Sequence, residues 1–292
     1  MNYFSSFAAV CIGITLVGAG CSSVATPKTE SSAPVAAPAQ AKFDGISPSE
    51  ASRKINLTAS NIIKINQHFS NQGDAMARQL GWGPDVAYDV VIRRFAPGYR
   101  ADVEWKRFTS VKAGLATASS TGIEDRQYVG SIVDGALQDG HSISLPSLWT
   151  EGEHSAFGSG ILWLSTDVYE NIVKSKLSTL TVGVLDKNQY NAVKGSSMFT
   201  KTIEQIVRES LRSGQKDLTL TQADAPTVMS LNVNGSPVNV EVIVMHNWFA
   251  DMVVLNNPQN PLVLRVTTKK IPGVDADGFF NYEVRAIEGI TE

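Results

Sequence analysis

The spacing of apolar residues changes its period along this chain. Ser47-Pro48-Ser49-Glu50 carries the marks of a helix start: a serine cap, proline at the first helical position and glutamate three residues after the cap. Ala51, Ile55, Ile62, Ile63 and Ile65 then predict an imperfect amphipathic helix to about Ser70, broken near Thr58. A short helical turn over 74–80 leads into Gly81-Trp82-Gly83-Pro84, which reads as a turn. Beyond Pro84 the segments 86–95 and 99–108 are rich in β-branched and aromatic residues and flank Ala96-Pro97-Gly98, which predicts a hairpin. The small, polar stretch 113–126 predicts a mobile loop, and 127–137 a further strand.

The second half alternates before it settles into strands. Residues 160–165 (GILWLS) read as a buried strand, 167–176 as a helix capped by Asp167, and 179–185 as another strand. Residues 200–212 predict the clearest helix: Ile203, Ile206, Val207 and Leu211 share a face, Glu204 and Arg208 are four apart, and Gly214 ends it. Leu231, Val233, Val238, Val240, Val242 and Val244 alternate with polar residues about Asn234-Gly235, a pair that tolerates the positive φ angles of a type I′ turn. Strands at 251–255, 262–267 and 279–287 follow, the first two joined by Asn-Asn-Pro-Gln-Asn-Pro and the last preceded by Asp277-Gly278. The predicted fold is α+β, antiparallel sheets with helices packed on one face. It divides into a helical and hairpin region at 43–150 and a meander-containing region at 151–292, as one domain or two.

Charge and cysteine placement set the amino terminus apart. The 292 residues are 43% hydrophobic and 18% charged with a net charge of -3, which gives no basic excess for tracking nucleic-acid phosphates. No charged side chain precedes Lys28, and both cysteines, Cys11 and Cys21, fall in that stretch. Residues 7–20 form an apolar run too short for a permanent span and suited to a signal peptide. It ends in Leu16-Val17-Gly18-Ala19-Gly20-Cys21, which resembles the lipobox of bacterial lipoproteins. The resemblance implies cleavage before Cys21, a diacylglycerol thioether on its sulfur and acylation of the new amino group, as with palmitate. It implies a membrane-anchored protein of the cell envelope, and Ser22 implies sorting to the outer membrane in a cell with two membranes. An ordinary secreted protein and an uncleaved anchor are the alternatives. No cysteine follows Cys21, as suits an oxidising compartment such as the periplasm. Residues 22–42, rich in Ala, Pro, Ser and Thr, predict a disordered linker.

The segment 139–160 gathers glycines, two of the four histidines and a tryptophan, and it is the candidate functional loop. His141, Glu153 and His154, with Glu151, are candidate metal ligands for a metal-dependent hydrolase, although their spacing matches no HExxH or HxH pattern. No nucleophile elbow or aspartic-protease motif is present, and Asp275-Ala276-Asp277-Gly278 lacks two of the ligands an EF-hand loop requires. Trp149, Phe157 and Trp248 are the candidate exposed aromatic patch, whereas Trp163 belongs to an apolar segment and reads as core. Arg93, Arg94, Arg100, Lys106 and Arg107 interleave with Asp89, Asp102 and Glu104 and predict a solvated, mixed-charge sheet face. The reading that follows is a noncatalytic envelope lipoprotein that needs no cofactor and binds another envelope component, a protein or a glycan. A hydrolase on the His141/His154 loop and a carrier of an apolar ligand are the alternatives.

Overall fold

Ser47 caps a helix as its sequence context predicts, but the helix is short. In the computed structural model, which describes residues 42–69, 85–112, 123–156, 158–182, 220–269, 278 and 280–291, α1 covers only Pro48–Lys54. All of these residues fall in one unit, Pro38–Glu292. The expected continuation to Ser70 is instead strand β1 (Ile62–His68), with Ile63, Ile65 and Gln67 buried and Lys64 and Asn66 half-buried. Three β-branched isoleucines in four residues crowd a helical turn and suit a pleated surface. The switch is made at a turn in which Asn61 Oδ1 accepts from the Thr58 N–H at 2.6 Å and Ser60 takes a φ of 75°.

The first hairpin forms as expected from β2 (Asp85–Ala96) and β3 (Arg100–Lys112), and β4 (Ile123–Ala136) extends it antiparallel. The predicted loop is thereby shortened at its far end, because β4 begins at Ile123. Across the segment expected to be a loop run β5 (Ser142–Ile143), a 3-10 turn at Pro146–Leu148, and β6 (Gly152–Ser155), which adds parallel to β4. Residues 161–165 are buried but form no strand; Trp163 makes a single bridge to Leu262, and Gly160 one to Ile143. The next helix, α2 (Thr166–Ser175), is capped by Ser165 rather than Asp167, and it ends at Lys176 in a left-handed conformation, φ 61°. Two short strands, β7 (Leu177–Thr179) and β8 (Thr181–Val182), replace the single expected one. The helix predicted at 200–212 and the turn at 74–84 lie outside the described residues.

After β9 (Leu220–Ala223), the meander consists of β10 (Thr227–Val233), β11 (Ser236–His246), β12 (Ala250–Leu255), β13 (Val263–Thr268) and β14 (Tyr282–Glu288). Asn234 and Gly235 turn its first hairpin with φ angles of 52° and 84°, as a type I′ turn requires. The five strands pair in succession and then close, Asn232 with Ala286 and Val233 with Ile287. A ring of five cannot alternate direction all the way round, so its closing pair, β10 with β14, is parallel. The other edge of β14 pairs with β1, from which β2, β3, β4 and β6 fan outward.

This architecture corrects the α+β expectation. Strand accounts for 55% of the described residues, and the core is a closed five-stranded barrel, not a sheet covered by helices. The meander hides its apolar face by curling on itself, so Leu231, Val233, Val240, Val254 and Val266 are buried with no helical layer over the barrel among the described residues. The short α1 packs against β11 through Ser52, whose Oγ donates to Glu241 O at 3.0 Å and accepts from Glu241 N–H at 2.7 Å. At its end Ser52 O accepts from the capping Ile55 N–H at 3.3 Å, and the Asn257 and Asn260 amides donate to Ser52 O and Ile55 O at 2.9 to 3.1 Å. The Asn-Asn-Pro-Gln-Asn-Pro reversal is thus also a clamp. No helix among the described residues is long and apolar enough to cross a membrane.

Candidate functional site

The loop at 139–160 is built as a structural plug. Trp149 is buried, so the exposed aromatic patch expected there is not what it forms. Its ring lies 5.8 Å from Tyr88 and 6.1 Å from Trp105, and its Nε1 donates to Ser144 Oγ at 3.2 Å. Arg107, expected on a solvated sheet face, is also buried: its guanidinium stands 4.4 Å from the centre of the Tyr128 ring and donates to Trp149 O at 3.3 Å. Tyr88 donates to Pro146 O, and burial pushes its hydroxyl pKa up to about 12. Gly130 leaves the space for this stack, since a Cβ there would lie 2.5 Å from the Trp105 ring.

The candidate metal ligands do not converge. His154 is buried on β6 with Nε2 3.0 Å from Thr150 Oγ1 and 3.1 Å from the carbonyl oxygens of Thr150 and Glu151, so local contacts already occupy that nitrogen. Glu153 is exposed, as its place beside His154 on a strand dictates. His141 is exposed and lies with Nδ1 3.2 Å from Thr179 O. Among the described residues no group of three or more His, Cys, Asp or Glu side chains is placed to hold a metal ion. Trp248 is half-buried against Phe249, at 5.7 Å between ring centres. Trp163 is core as expected, its Nε1 donating to Asn260 Oδ1 at 2.7 Å. Cys21 and Phe157 lie outside the described residues.

Two ionic clusters have local explanations. Arg100 bridges Asp102 at 2.8 Å and Asp134 at 2.7 Å, and Asp102 also accepts from the Asp134 N–H. Burial, the largest single effect, would raise the Asp102 carboxyl pKa, but the hydrogen bonds from Arg100 and the Asp134 N–H, with the charges of Arg100 and Arg94, together outweigh it and hold the group below its ordinary value. Asp134 has a φ of 60°, so this cluster fixes a left-handed residue where the β3–β4 register shifts. His246, at the end of β11, stands between Asp224 at 2.8 Å and Asp251 at 2.9 Å, with Lys269 also on Asp251 at 3.0 Å. Hydrogen bonds from its ring to Asp224 and then Asp251 raise the histidine above its ordinary pKa. The carboxylates bind opposite sides of the ring, an arrangement that holds a proton rather than a metal.

A further feature among the described residues is a polar groove of about 710 Å³ at the place where the barrel closes. The edge of β14 that faces the barrel is shared: Tyr282 and Glu283 pair with β13, whereas Ala286 and Ile287 pair with β10. Between these contacts the two neighbours fork, and the groove is lined by Met229 and Ser230 of β10, Arg265 of β13, Glu283 and Arg285 of β14, and Asn66 of β1. Register aligns Arg265, Glu283 and Asn66 in one row across three strands. Arg285, two residues further along β14, projects from the same face. With its amide oriented to satisfy both atoms, Asn66 accepts from Arg285 Nη1 at 2.9 Å through its oxygen and donates to Ile65 O through its nitrogen. Arg265 is exposed and makes no ion pair among the described residues. At the groove's far end His68 and Asp85 pair at 2.5 Å.

None of these residues belongs to a recognisable site motif in the sequence. Their one signal is charge at alternate positions of otherwise apolar strands, Arg265 before Val266 and Glu283-Val284-Arg285, but the pattern does not say that the charged face borders a fork. The chain matches no protein-family model, no curated protein and no solved structure.

Proposed function

We propose that this chain is an exported lipoprotein, anchored through Cys21, whose β body is a noncatalytic module that binds another envelope component. The anchoring half is supported by cysteine placement: both thiols lie in the uncharged amino terminus, and Cys21 follows the small residues of a lipobox-like stretch. The observation that carries the binding half is the fork groove, an open polar concavity with two guanidiniums on one wall. Its polar and charged lining favours a hydrogen-bonding partner over an apolar ligand.

Two experiments test the halves separately. Replacing Cys21 by Ser should abolish incorporation of labelled palmitate in cells, and retained label would reject the anchor. A photo-crosslinking residue placed at Ser230 should trap a partner in intact cells, while one at exposed Glu153 should not. Equal trapping at both positions would reject the groove as the binding site.

A further inference from the structure

The geometry of the fork points to its ligand: we propose that the edge of β10, unpaired beyond Asn232 among the described residues, takes up an extended peptide as an added strand, and that Arg265 and Arg285 hold carboxylates on that peptide. The inference deepens the reading of the body as a binding module and rests on it.

The backbone sets the first half of the argument. In a two-residue hairpin the residues flanking the turn, here Val233 and Ser236, exchange both hydrogen bonds, and such pairs recur at every second residue. Val233, Leu231, Met229 and Thr227 therefore turn their N–H and C=O groups toward β11. Asn232, Ser230 and Val228 turn theirs the other way. Asn232 is met there by Ala286 of β14, but Ser230 and Val228 are not, because β14 pairs no further down. Among the described residues nothing else covers this edge, and Val228 remains 56% exposed.

Unpaired edges are usually protected by shortness, charge or proline. The outer ends of this sheet follow that rule: β6 has four residues, one of them the exposed Glu153, and β7 has three. The stretch Thr227–Leu231 has neither charge nor proline. It lies instead beside the two arginines, which stand on the strands across the fork. Guanidinium groups bind carboxylates through paired hydrogen bonds, and a strand seated on β10 presents every second side chain to the same face.

This chemistry selects among occupants. Alternating backbone donors and acceptors complement another peptide, whereas a glycan has no matching ladder. A second copy paired edge to edge would bring only Thr, Val, Met, Ser and Leu to the fork, and no anion for the arginines. The occupant is therefore a segment of another protein with β-branched residues and at least one Asp or Glu.

The test is selection of displayed random peptides of about seven residues, the length of an ordinary strand, on the detergent-solubilised full-length protein. Enriched sequences should alternate apolar residues with Asp or Glu. Their affinity, read by fluorescence anisotropy, should fall at least about tenfold with Val228→Pro, which removes one outward N–H while sparing the β11 ladder. Should that variant lose its circular dichroism, Arg265→Glu leaves the edge intact and should shift selection toward Lys- or Arg-bearing peptides. Failure to enrich any peptide, enrichment indifferent to Arg265→Glu, or unchanged affinity in a folded Val228→Pro protein would each overturn the proposal. So would binding of chitotetraose at the groove in place of peptide, or dimerisation that Val228→Pro abolishes. A partner still trapped at Ser230 in any of these cases would leave the binding-module reading standing and remove only the added strand.

Discussion

The padded sheet of β2, β3 and β4 and the fork of the barrel use conspicuous residues in opposite ways. Tryptophans, an arginine, glycines and a histidine crowd the 139–160 loop and its sheet, yet they are consumed by packing: Trp105, Trp149, Arg107 and His154 are all buried. The fork is made from a plain valine-rich meander, yet it leaves backbone groups and two guanidiniums facing a groove. Residue type marks what chemistry is possible, and burial decides whether that chemistry is spent on folding or left for a partner.

The comparison breaks most easily at the padded sheet. Trp149→Ala should destabilise the protein by roughly 3–5 kcal/mol in chemical denaturation, because it opens a cavity between Tyr88 and Trp105. A loss below about 1 kcal/mol would show that the loop is not the plug described, since scattered surface changes lie in that range. Gly130→Ala should cost about 1–3 kcal/mol in the same assay through overlap with the Trp105 ring.

Asn260→Ala probes the clamp between these regions. It leaves Trp163 Nε1 and an acceptor site at Ile55 O without the Asn260 bonds, and it should cost about 2 kcal/mol. The midpoint of thermal unfolding would report it.

A smaller effect is expected from pH at the end of β11. The folded His246 titrates above its ordinary value near 6.5, so its contribution is complete below that value and is lost as pH rises through the raised folded pKa. The ring is partly exposed and solvent screens the pairs, so the contribution should stay under about 1 kcal/mol. Thermal midpoints measured upward from pH 6.5 should fall in wild type, and His246→Gln should remove that part of the slope. An unchanged slope would show that the Asp224 and Asp251 contacts do not bias the proton.

The smallest change in stability belongs to the fork. Arg265→Gln touches no ion pair among the described residues and should alter unfolding by no more than about 0.5 kcal/mol. A large loss would mean that the arginine holds the barrel together, and the contrast between the two regions would fail.

Legibility in the sequence followed how local the governing interaction is. The Asn234-Gly235 hairpin, the β2–β3 hairpin and the Ser47 cap were readable because neighbours within a few residues determine them. Ile62, Ile63 and Ile65 were misread because they fit an imperfect helical stripe as well as a strand, and pairing with β2 and β14 settled the matter. The candidate site at His141, Glu153 and His154 was legible as composition, but His154 Nε2 is committed to carbonyls that no spacing rule reveals.

By itself the sequence determined the alternation of the meander, its turn chemistry and the segregation of cysteine and charge at the amino terminus. These follow from backbone conformational preference and from composition. Only the tertiary structure decided that the meander closes with a parallel pair, that the aromatic loop is interior and that β10 parts from β14 beside Arg265 and Arg285. Those outcomes depend on which edges meet across more than fifty residues of chain, as Asn232 meets Ala286. Long-range pairing is fixed by the joint burial of many side chains, a quantity that no short window of sequence contains.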